Sequence, residues 1–556
     1  MAAVTQRWTG AGVAPGTAVA GWWRIDRPIP GRVDTIDPDE VEAAFQDVAA
    51  DLTRVADRVR AQGRSTAADI VAVGALIASD IDLVESARDA ASADDPLAAI
   101  HDAVEVYAAL LEALPDETLR ERAADVRQIG RRVIERLLRA GTGISGLPTA
   151  DRFVLVADEI GPADLIEHLG GGIVGAAAVR GGANSHAAIV ARSIGLPVVM
   201  GVDPQLLDLP DNTTLLVDAN SGVVMADPAD TEIARAEEAA VRGDERRRLL
   251  AAERGLPHVT ADGEPFLLLC NVASDVEVRV GRDSGAVGIG LLRTELPFLE
   301  TPRWPSEADH RRSLRPIFAE AAGWPVTVRL LDFANDKIPP FLAGSPAGLR
   351  ALLDNPDALT AQLRAVVDLG RTVQLRIMVP MVSTVEELQA VRAMVDTVVA
   401  DLGVPPVLVG AMVETVAAVE SMAQLCEIAD FFSIGTNDLT SEVLDLDRLD
   451  PQARPELTAH PYVLELISRV VAAARRAGRP ISVCGDAGGH PTTLPLMVGA
   501  GVRAVSVACA RIDETRYRLR RLDTAACQRV FAEALGTRDA AAAAELVRRQ
   551  IEVVVP

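Results

Sequence analysis

The sequence of 556 residues lacks three features that mark specialised classes of protein. Its five cysteines are scattered with no CxxC pair, which argues against a disulfide framework or a zinc site. The longest apolar stretches are broken within about ten residues, too short to cross a bilayer. The N-terminus has no basic segment followed by a long apolar one. We therefore expect a cytoplasmic protein without membrane insertion.

Basic residues are also in deficit, because 55 lysines and arginines stand against 79 aspartates and glutamates, a formal net charge of −24 at pH 7. This charge disfavours nucleic acid as a partner and favours a basic protein surface, although acidity that only keeps a protein soluble explains it equally well. The hydrophobic fraction of 49% is ordinary for a globular chain. At this length we expect three or four domains.

Residues 36–142 have the pattern of helices throughout. Asp37 and Pro38 supply an N-cap and a first-turn proline, and apolar residues then recur every three or four positions. Further apolar stripes of this kind occupy 70–84, 100–114 and 119–138. Together they predict an antiparallel helical bundle.

The flanking segments 1–35 and 143–228 contain short β-rich runs that alternate with glycine-rich turns. They predict one compact α/β domain into which the bundle is inserted. The stretch 229–259 begins with a long charged run and is predicted to be a helical linker that acts as a hinge.

Residues 260–556 alternate strand-like and helix-like patterns, which predicts a multidomain α/β chain with a C-terminal (β/α)8 TIM-like barrel. The eight strand-like runs occupy 266–271, 286–292, 326–332, 375–381, 407–413, 431–435, 481–485 and 504–508.

Polar residues follow several of these strands, where a barrel carries its reactive groups. Taken singly, a strand-end arginine is more often a rim salt bridge, and an isolated cysteine is usually structural. Several cations and acids on one rim instead suit a polyanionic ligand with a divalent metal, because arginine matches phosphate and carboxylate oxygens and Mg²⁺ prefers carboxylate ligands. Glu414 and Asp438 are the natural metal-binding pair, and the Cys484 thiol is a candidate proton donor to an enolate.

A second candidate site is the segment RGGANSHAAIVARSIGLP at 180–197. Gly181 and Gly182 allow close backbone approach, Ser185 is a predicted helix cap, and His186 begins the predicted helix. A helix N-terminus is a natural anion site, so a phosphoryl group on His186 would be held there. The local sequence leaves two interpretations equally open, a phosphoryl carrier or a helix-start residue.

Across essentially the whole chain these motifs resemble enzyme I of the bacterial phosphoenolpyruvate (PEP)-dependent sugar phosphotransferase system. GGANSH at 181–186 corresponds to the family's phosphohistidine segment. The matching barrel motifs are GLLRTELPFL at 290–299, VRLLDFANDK at 328–337, MVET at 412–415, FFSIGTNDLT at 431–440, LDR at 446–448 and VCGDAGG at 483–489. The resemblance implies that the α/β domain is a swivelling phosphohistidine domain, that the bundle binds a carrier protein, and that the barrel binds PEP.

The resemblance also implies roles for individual residues and a partner. The implied function is transfer of phosphate from PEP through His186 to the phosphocarrier protein HPr, with release of pyruvate, in a protein that dimerises through its barrel. Its implied site residues are Arg293, Arg329, Lys337, Arg350, Asn437 and Arg448 for PEP, Glu414 and Asp438 for Mg²⁺, and Cys484 as proton donor.

Pyruvate, phosphate dikinase and PEP synthase share the barrel motifs. Enzyme I is favoured because no large ATP-binding domain is recognisable and because 119–138 resembles the last helix of the carrier-binding bundle. The sequence departs from the family pattern at Gly74, where a histidine is common, at Asn184, and within 332–337. Two alternatives stay open: a PEP-dependent transferase with another protein acceptor, and a non-catalytic regulatory homologue.

Overall fold

The chain has two compact units, Met1–Glu245 and Arg246–Pro556. The computed structural model describes residues 6–26, 33, 35–61, 65–113, 117–142, 152–168, 172–182, 185–210, 213–299, 301–333, 338–343, 346–446 and 454–551.

The first unit contains an eight-stranded mixed sheet in the order β1-β8-β7-β3-β4-β5-β6-β2. Its strands are β1 (Arg7–Thr9), β2 (Ala11–Ala14), β3 (Thr17–Arg24), β4 (Phe153–Ala157), β5 (Ile173–Ala178), β6 (Val198–Met200), β7 (Thr214–Asp218) and β8 (Val223–Ala226). The pairs β3–β4, β4–β5 and β5–β6 are parallel, and the other pairs are antiparallel. β4, in the middle of the sheet, is buried at every residue, as expected of a strand covered on both faces.

Five helices connect β3 to β4, two strands that are neighbours in the sheet. They are α1 (Pro38–Ala61), α2 (Ser65–Ile77), α3 (Ile81–Ala90), α4 (Pro96–Glu112) and α5 (Glu117–Thr142). Three more helices of this part of the chain are α6 (Pro162–Glu167), α7 (His186–Ile194) and α8 (Asp230–Ala252). The boundary between the two units falls within α8.

The predicted helix starts and stripes correspond closely to this arrangement, with one correction. α1 begins at Pro38, and Asp37 Oδ1 accepts the N–H of Asp39 at 2.9 Å, as an N-cap should. The apolar stripe over 70–84 spans two helices, because α2 ends at Ile77 and the Asp80 side chain caps α3 by accepting the N–H of Leu83. The apolar stripe continues across the break, which is why periodicity alone did not reveal it.

The second unit is a closed barrel of eight parallel strands in sequence order, which confirms the predicted fold. The strands are β9 (Leu267–Val272), β10 (Ile289–Leu292), β11 (Pro325–Arg329), β12 (Gln374–Val379), β13 (Leu408–Val413), β14 (Phe432–Ile434), β15 (Ile481–Val483) and β16 (Ala504–Ala508). β16 pairs with β9 and closes the ring, with Ser506 opposite Leu269.

Helices surround this barrel and bury the outer faces of the strands. They are α9 (Asp275–Asp283), α10 (Glu307–Glu320), α11 (Gly348–Leu353), α12 (Pro356–Leu369), α13 (Val385–Leu402), α14 (Val416–Glu420), α15 (Met422–Ile428), α16 (Thr436–Leu444), α17 (Pro461–Arg476), α18 (Thr493–Ala500), α19 (Ile512–Leu519), α20 (Thr524–Ala534) and α21 (Ala540–Ile551). Within the described part of the chain, no helix is both long and apolar enough to span a membrane.

One histidine is buried in the barrel unit without a polar contact. His310, on α10, has no exposed surface and packs edge-on against Phe298, with ring centroids 5.0 Å apart. Neither ring nitrogen makes a hydrogen bond to any residue that the structure describes. Burial lowers the pKa of His310 to about 4, because the imidazolium form cannot be solvated there.

This histidine should make the barrel less stable in acid. Between pH 6.5 and pH 4, His310 is protonated in the unfolded chain but stays neutral in the folded chain. The free energy of unfolding therefore falls by roughly 3 kcal/mol as the pH is lowered through this range. We therefore compare the free energy of unfolding of His310→Leu with that of wild type at two pH values. The difference should favour His310→Leu more at pH 4.5 than at pH 7.5. Urea unfolding at both pH values measures this, and an equal difference between the two proteins at both would contradict it.

Candidate functional site

The barrel strands bring most of the predicted site residues to one cavity of about 360 Å³ at their carboxyl ends. The predicted residues that line it are Arg293, Arg329, Glu414, Asn437, Asp438 and Cys484, and the other lining residues are Leu291, Met412, Gly435 and Gly485. Two arginines, two carboxylates and a thiol therefore line one cavity.

Arg329 ends β11 and is held by two carboxylates. Its Nη2 lies 2.5 Å from Oε1 of Glu295, and its Nη1 lies 2.8 Å from Oδ2 of Asp332. All three side chains are buried. Burial alone would lower the pKa of Arg329, but the two carboxylates raise it above its usual value, so the guanidinium stays charged and fixed in orientation.

A buried polar network holds the strand ends in register around this arginine. Thr294 Oγ1 donates to the carbonyl oxygen of Arg329 at 2.8 Å and accepts from Gln362 Nε2 at 2.9 Å. Gln362 Oε1 in turn accepts the backbone N–H of Leu331 at 3.0 Å. Because every one of these groups is buried, losing one leaves the others without partners, and the loops after β10 and β11 are tied together.

Glu414 follows β13 and is almost fully buried. Burial and then the neighbouring carboxylates of Asp332 and Asp438 together raise its pKa to about 8, while Arg329 opposes them. Its Oε1 accepts the N–H of Met381 at 2.6 Å. Met381 has a φ of 51°, a left-handed conformation that is costly for a residue with a side chain.

Two glycines permit the close approach of the neighbouring strand ends. A Cβ on Gly435 would lie 2.7 Å from Oε2 of Glu414, and one on Gly485 would lie 2.8 Å from the backbone nitrogen of Thr436. Any larger residue would push the N-terminus of α16 away from Glu414. The glycines thereby keep Asp438, in the first turn of α16, near the Glu414 carboxylate.

Asn437 is fixed by the loop after β15. Its Nδ2 donates to Asp486 Oδ2 at 2.9 Å, and its Oδ1 accepts the backbone N–H of Asp486 at 3.0 Å. This reciprocal pair joins α16 to the segment that follows Cys484. Asp486, where the resembled family has a glutamate, therefore has a positioning role that its place in the sequence did not indicate.

The Cys484 thiol is buried in the same cavity. Burial raises its pKa to about 11, an effect that Ser433 and Arg329 only partly oppose. At neutral pH the sulfur therefore carries its proton. Such a thiol is a proton donor rather than a nucleophile.

Arg350 is not among the residues that line this cavity. The Arg350 side chain is 67% exposed and pairs with Asp354 on its own helix, with Nη2 2.9 Å from Oδ1. Lys337 and Arg448, together with the sequence departure at Asn184, lie outside the described residues. Their roles stay predictions.

His186 lies in the first unit, at the first position of α7. The Ser185 side chain caps this helix by accepting the N–H of Ala188 at 3.2 Å, and Gly195 ends it with a φ of 71°. Gly181 has a φ of 115°, a backbone conformation that favours glycine over any residue with a side chain. At Gly182, by contrast, an added Cβ would meet no atom within 4 Å. His186 lines a cavity of about 300 Å³ together with Asp125, Glu159 and Arg180.

A divalent cation fits the barrel cavity chemically. The Asp438 carboxylate raises the pKa of the buried Glu414, and a bound cation would relieve this repulsion. Among the described residues no three His, Cys, Asp or Glu side chains form a metal-binding group. Mg²⁺ is usually bound by one or two protein carboxylates, with oxygens of the substrate and water as the remaining ligands. A structural metal site needs more protein ligands than this.

Some residues that shape the two sites were not among the predicted site residues. Glu295 and Asp332 orient Arg329, Met381 orients Glu414, and Asp125 contacts His186 at 3.5 Å. Glu295 was visible in the sequence as part of RTE after a predicted strand. The contacts of Met381 and Asp125 join distant segments and leave no local pattern in a sequence.

Sequence models of three families match successive parts of the chain. Residues 9–122 match the N-terminal part of a PEP-utilising enzyme, residues 149–222 match the mobile domain of a PEP-utilising enzyme, and residues 247–524 match its PEP-binding domain. The barrel cavity lies within the last of these matches, and His186 lies within the second.

Curated relatives align over most of this chain. A phosphoenolpyruvate-protein phosphotransferase of Streptomyces coelicolor is 33% identical over 88% of this chain and 91% of that protein. An Escherichia coli protein named phosphoenolpyruvate-dependent phosphotransferase system is 30% identical over 94% of this chain and 73% of its own length. A multiphosphoryl transfer protein of Rhodobacter capsulatus is 36% identical over 74% of this chain but only 51% of its own length, so the chain spans about half of that relative.

Proposed function

Because the chain belongs to the phosphoenolpyruvate-protein phosphotransferase family, we propose that it moves a phosphoryl group from PEP through His186 to a phosphocarrier protein of the HPr type and releases pyruvate. The observation that carries the proposal is the barrel cavity, where two arginines converge with two carboxylates and a protonated thiol. PEP carries a carboxylate and a phosphate on one enol carbon, and each of these groups has a partner there.

In the first step Arg293 and Arg329 bind the anionic groups of PEP. The orientation that Glu295 and Asp332 impose on Arg329 means that little reorganisation is needed when the ligand arrives. A ring nitrogen of His186 attacks the phosphorus and forms an N–P bond, while the bond between phosphorus and the enol oxygen breaks. Positioning and charge neutralisation supply most of the catalysis in transfers of this kind.

Glu414 and Asp438 are the residues that would hold Mg²⁺, and Asn437 would stand beside it. Bound there, the cation would neutralise charge on the phosphate and enolate oxygens. The protein supplies a buried carboxylate in Glu414 and a partly buried one in Asp438, keeps them together through Gly435, and fixes Glu414 through the N–H of Met381.

Cys484 completes the first half-reaction. Breaking the P–O bond leaves the enolate of pyruvate, which needs a proton on carbon. The buried thiol carries a proton at neutral pH and lies in the cavity with Arg293 and Arg329, which would stabilise the thiolate that remains after transfer. A proton from solvent then restores the thiol when pyruvate leaves.

The helical bundle is the proposed docking surface for the carrier. Four large apolar side chains are exposed on three of its helices: Leu76, Ile81, Val106 and Leu110. α2 packs against α7, the helix that begins at His186, so a partner bound at this end of the bundle would be close to the phosphoryl group. The excess of acidic residues in the chain suits a carrier with a basic surface.

The role of His186 is tested by substitution. We expect His186→Ala to abolish incorporation of ³²P from labelled PEP, because no other described residue in that cavity is a phosphoryl acceptor of this type. His101→Ala, which removes an exposed histidine of α4, should be labelled like wild type. Normal labelling of His186→Ala would overturn the proposal. Absence of any labelling in wild type would favour a non-catalytic homologue.

The role of Cys484 predicts a split between two rates. Cys484→Ser should slow pyruvate formation roughly a hundredfold, because a hydroxyl is a much weaker acid, while His186 labelling is slowed less. Cys426→Ser replaces a buried cysteine of α15 outside the cavity and should affect neither rate. Stopped-flow measurement of pyruvate, with His186 labelling followed in parallel, gives the two rates separately. An unchanged rate of pyruvate formation in Cys484→Ser would mean that another group donates the proton.

The metal site has a readout that does not depend on turnover. MgCl₂ at about ten times its dissociation constant should raise the midpoint of thermal unfolding by about 2–4 °C, an increase of about 1.4 kcal/mol in stability. Glu414→Gln should lose this shift, and Glu420→Gln, which removes an exposed carboxylate of α14, should keep it. Equal shifts in both variants would exclude Glu414 as a ligand.

If the bundle is the docking surface, a substitution there should impair transfer to the carrier without impairing the labelling of His186 by PEP. Leu110→Asp should weaken binding of purified HPr by at least about tenfold and leave labelling of His186 by PEP intact. Leu249→Asp changes an equally hydrophobic exposed side chain on α8 and serves as the control. If calorimetry shows unchanged HPr binding in Leu110→Asp, the carrier docks on another surface or the acceptor is another protein.

A further inference from the structure

The interior of the barrel beneath the cavity carries hydroxyl side chains, where bulky branched residues usually dominate. Successive residues of a strand point to opposite faces, and the immediate neighbours of these positions pack outward in the core between strands and helices. The inward hydroxyls are those of Thr327 on β11, Ser433 on β14, Ser482 on β15 and Ser506 on β16. Buried hydroxyls cost free energy unless they are hydrogen-bonded, so their partners indicate what they do.

Two of these hydroxyls face each other across neighbouring strands. Ser433 and Ser482 are partners in the register of β14 and β15, and Ser482 Oγ donates to Ser433 Oγ at 3.0 Å. Ser433 is almost fully buried, whereas Ser482 is only partly buried. The pair therefore joins a closed position to one that solvent can reach.

Ser433 also reaches the thiol of Cys484. Cys484 comes two residues after Ser482, so its side chain points to the same face and packs among other inward side chains. Burial raises the pKa of this thiol, and its hydrogen bond with Ser433 acts in the opposite direction because it stabilises the thiolate. The sulfur also lies 3.7 Å from the carbonyl oxygen of Ile434, the residue that follows Ser433.

The hydrogen bonds in this chain all point toward the sulfur. Because the Ser482 hydroxyl donates to Ser433, the Ser433 hydroxyl proton is left to be donated to Cys484. A serine oxygen can accept one proton as it gives up its own. Transfers that occur together along such a chain deliver a proton to the sulfur without leaving a charge on either serine.

We infer that Ser482 and Ser433 form a proton relay that restores the Cys484 thiol from the interior of the barrel. The inference rests on the proposed function for the role of Cys484 as proton donor, and on the observed contacts for the route. The cavity is a poor route while a ligand occupies it, because Cys484 is only 5% exposed and lines the space that the ligand would fill.

The step balances with solvent as the proton source. The enolate of pyruvate takes the thiol proton on carbon and leaves a thiolate. The thiolate takes the hydroxyl proton of Ser433, Ser433 takes that of Ser482, and Ser482 takes one from solvent. Both serines end as neutral hydroxyls, the solvent has lost one proton, and nothing is oxidised or reduced.

Isotope exchange tests the relay independently of the reaction rate. With MgCl₂ and no carrier protein, the full chain should exchange label between ¹⁴C-pyruvate and PEP, because the first half-reaction is reversible. Each return of pyruvate to PEP leaves one methyl proton on the Cys484 sulfur. In D₂O, the enzyme adds deuterium to pyruvate only if that thiol proton exchanges with solvent before the next transfer. The measured quantity is deuterium gained per carbon exchanged, corrected for a sample without enzyme.

We expect about one deuterium per carbon exchanged in wild type, and at least about threefold less in Ser433→Ala and in Ser482→Ala, where the thiol keeps its proton for the next transfer. Ser482→Thr retains a hydroxyl and should restore most of the ratio. Ser506→Ala removes an inward hydroxyl that donates instead to Asn271 Oδ1 at 2.6 Å, and should keep the wild-type ratio whatever its rate. A merely structural role of the serines would change rates and leave this ratio as it is.

An unchanged ratio in either alanine variant would overturn the relay and leave the mouth of the cavity as the route of the proton. A wild-type ratio near zero would overturn it as well, because the thiol would then have no path to solvent. If Ser433→Ala does not fold, Ser482→Ala decides, since its position is partly exposed. A wild-type chain that exchanges no carbon would refute the proposed function and the relay with it, whereas carbon exchange with unchanged ratios refutes the relay alone.

Discussion

The direction of the strands in the closed barrel is the constraint on which the donor site depends. Eight parallel strands direct all their carboxyl ends to one rim, so residues from 293 to 484 meet there although they are far apart in the chain. Because the ring closes through the pairing of β16 with β9, no strand can shift without disturbing both neighbours. The rim therefore holds its side chains on a rigid frame, which suits a site that works by positioning.

Several buried carboxylates lie at this rim around the guanidinium of Arg329. Glu295, Asp332 and Glu414 are all buried near Arg329. Burial and the neighbouring carboxylates outweigh the effect of Arg329, and the result is a raised pKa of Glu414. A metal ion that binds at such a site together with an anionic substrate brings positive charge and stabilises the carboxylates. The left-handed backbone of Met381 is a local cost of holding Glu414 in place.

The first unit has a different task under the proposed function, in which its histidine receives a group and releases it. A helix N-terminus favours negative charge at His186, and the buried Asp125 carboxylate lies 3.5 Å from the Nδ1 atom of the ring. These two features come from different parts of the unit, α7 of the sheet region and α5 of the bundle. Their alignment depends on the buried pairing of Asp164 with Arg131 and Arg132, which joins these two parts.

The sequence by itself determined the eight barrel strands, the helix that begins at His186 with its Ser185 cap, and the chemistry expected after the strands. Each of these rests on short-range signals, namely periodicity, caps and motif spacing. Only the tertiary structure showed that Arg350 points away from the cavity, that the Cys484 thiol stays protonated, and that Asp125 faces His186. Burial and contacts between distant segments decide such properties, and neither is written in local sequence.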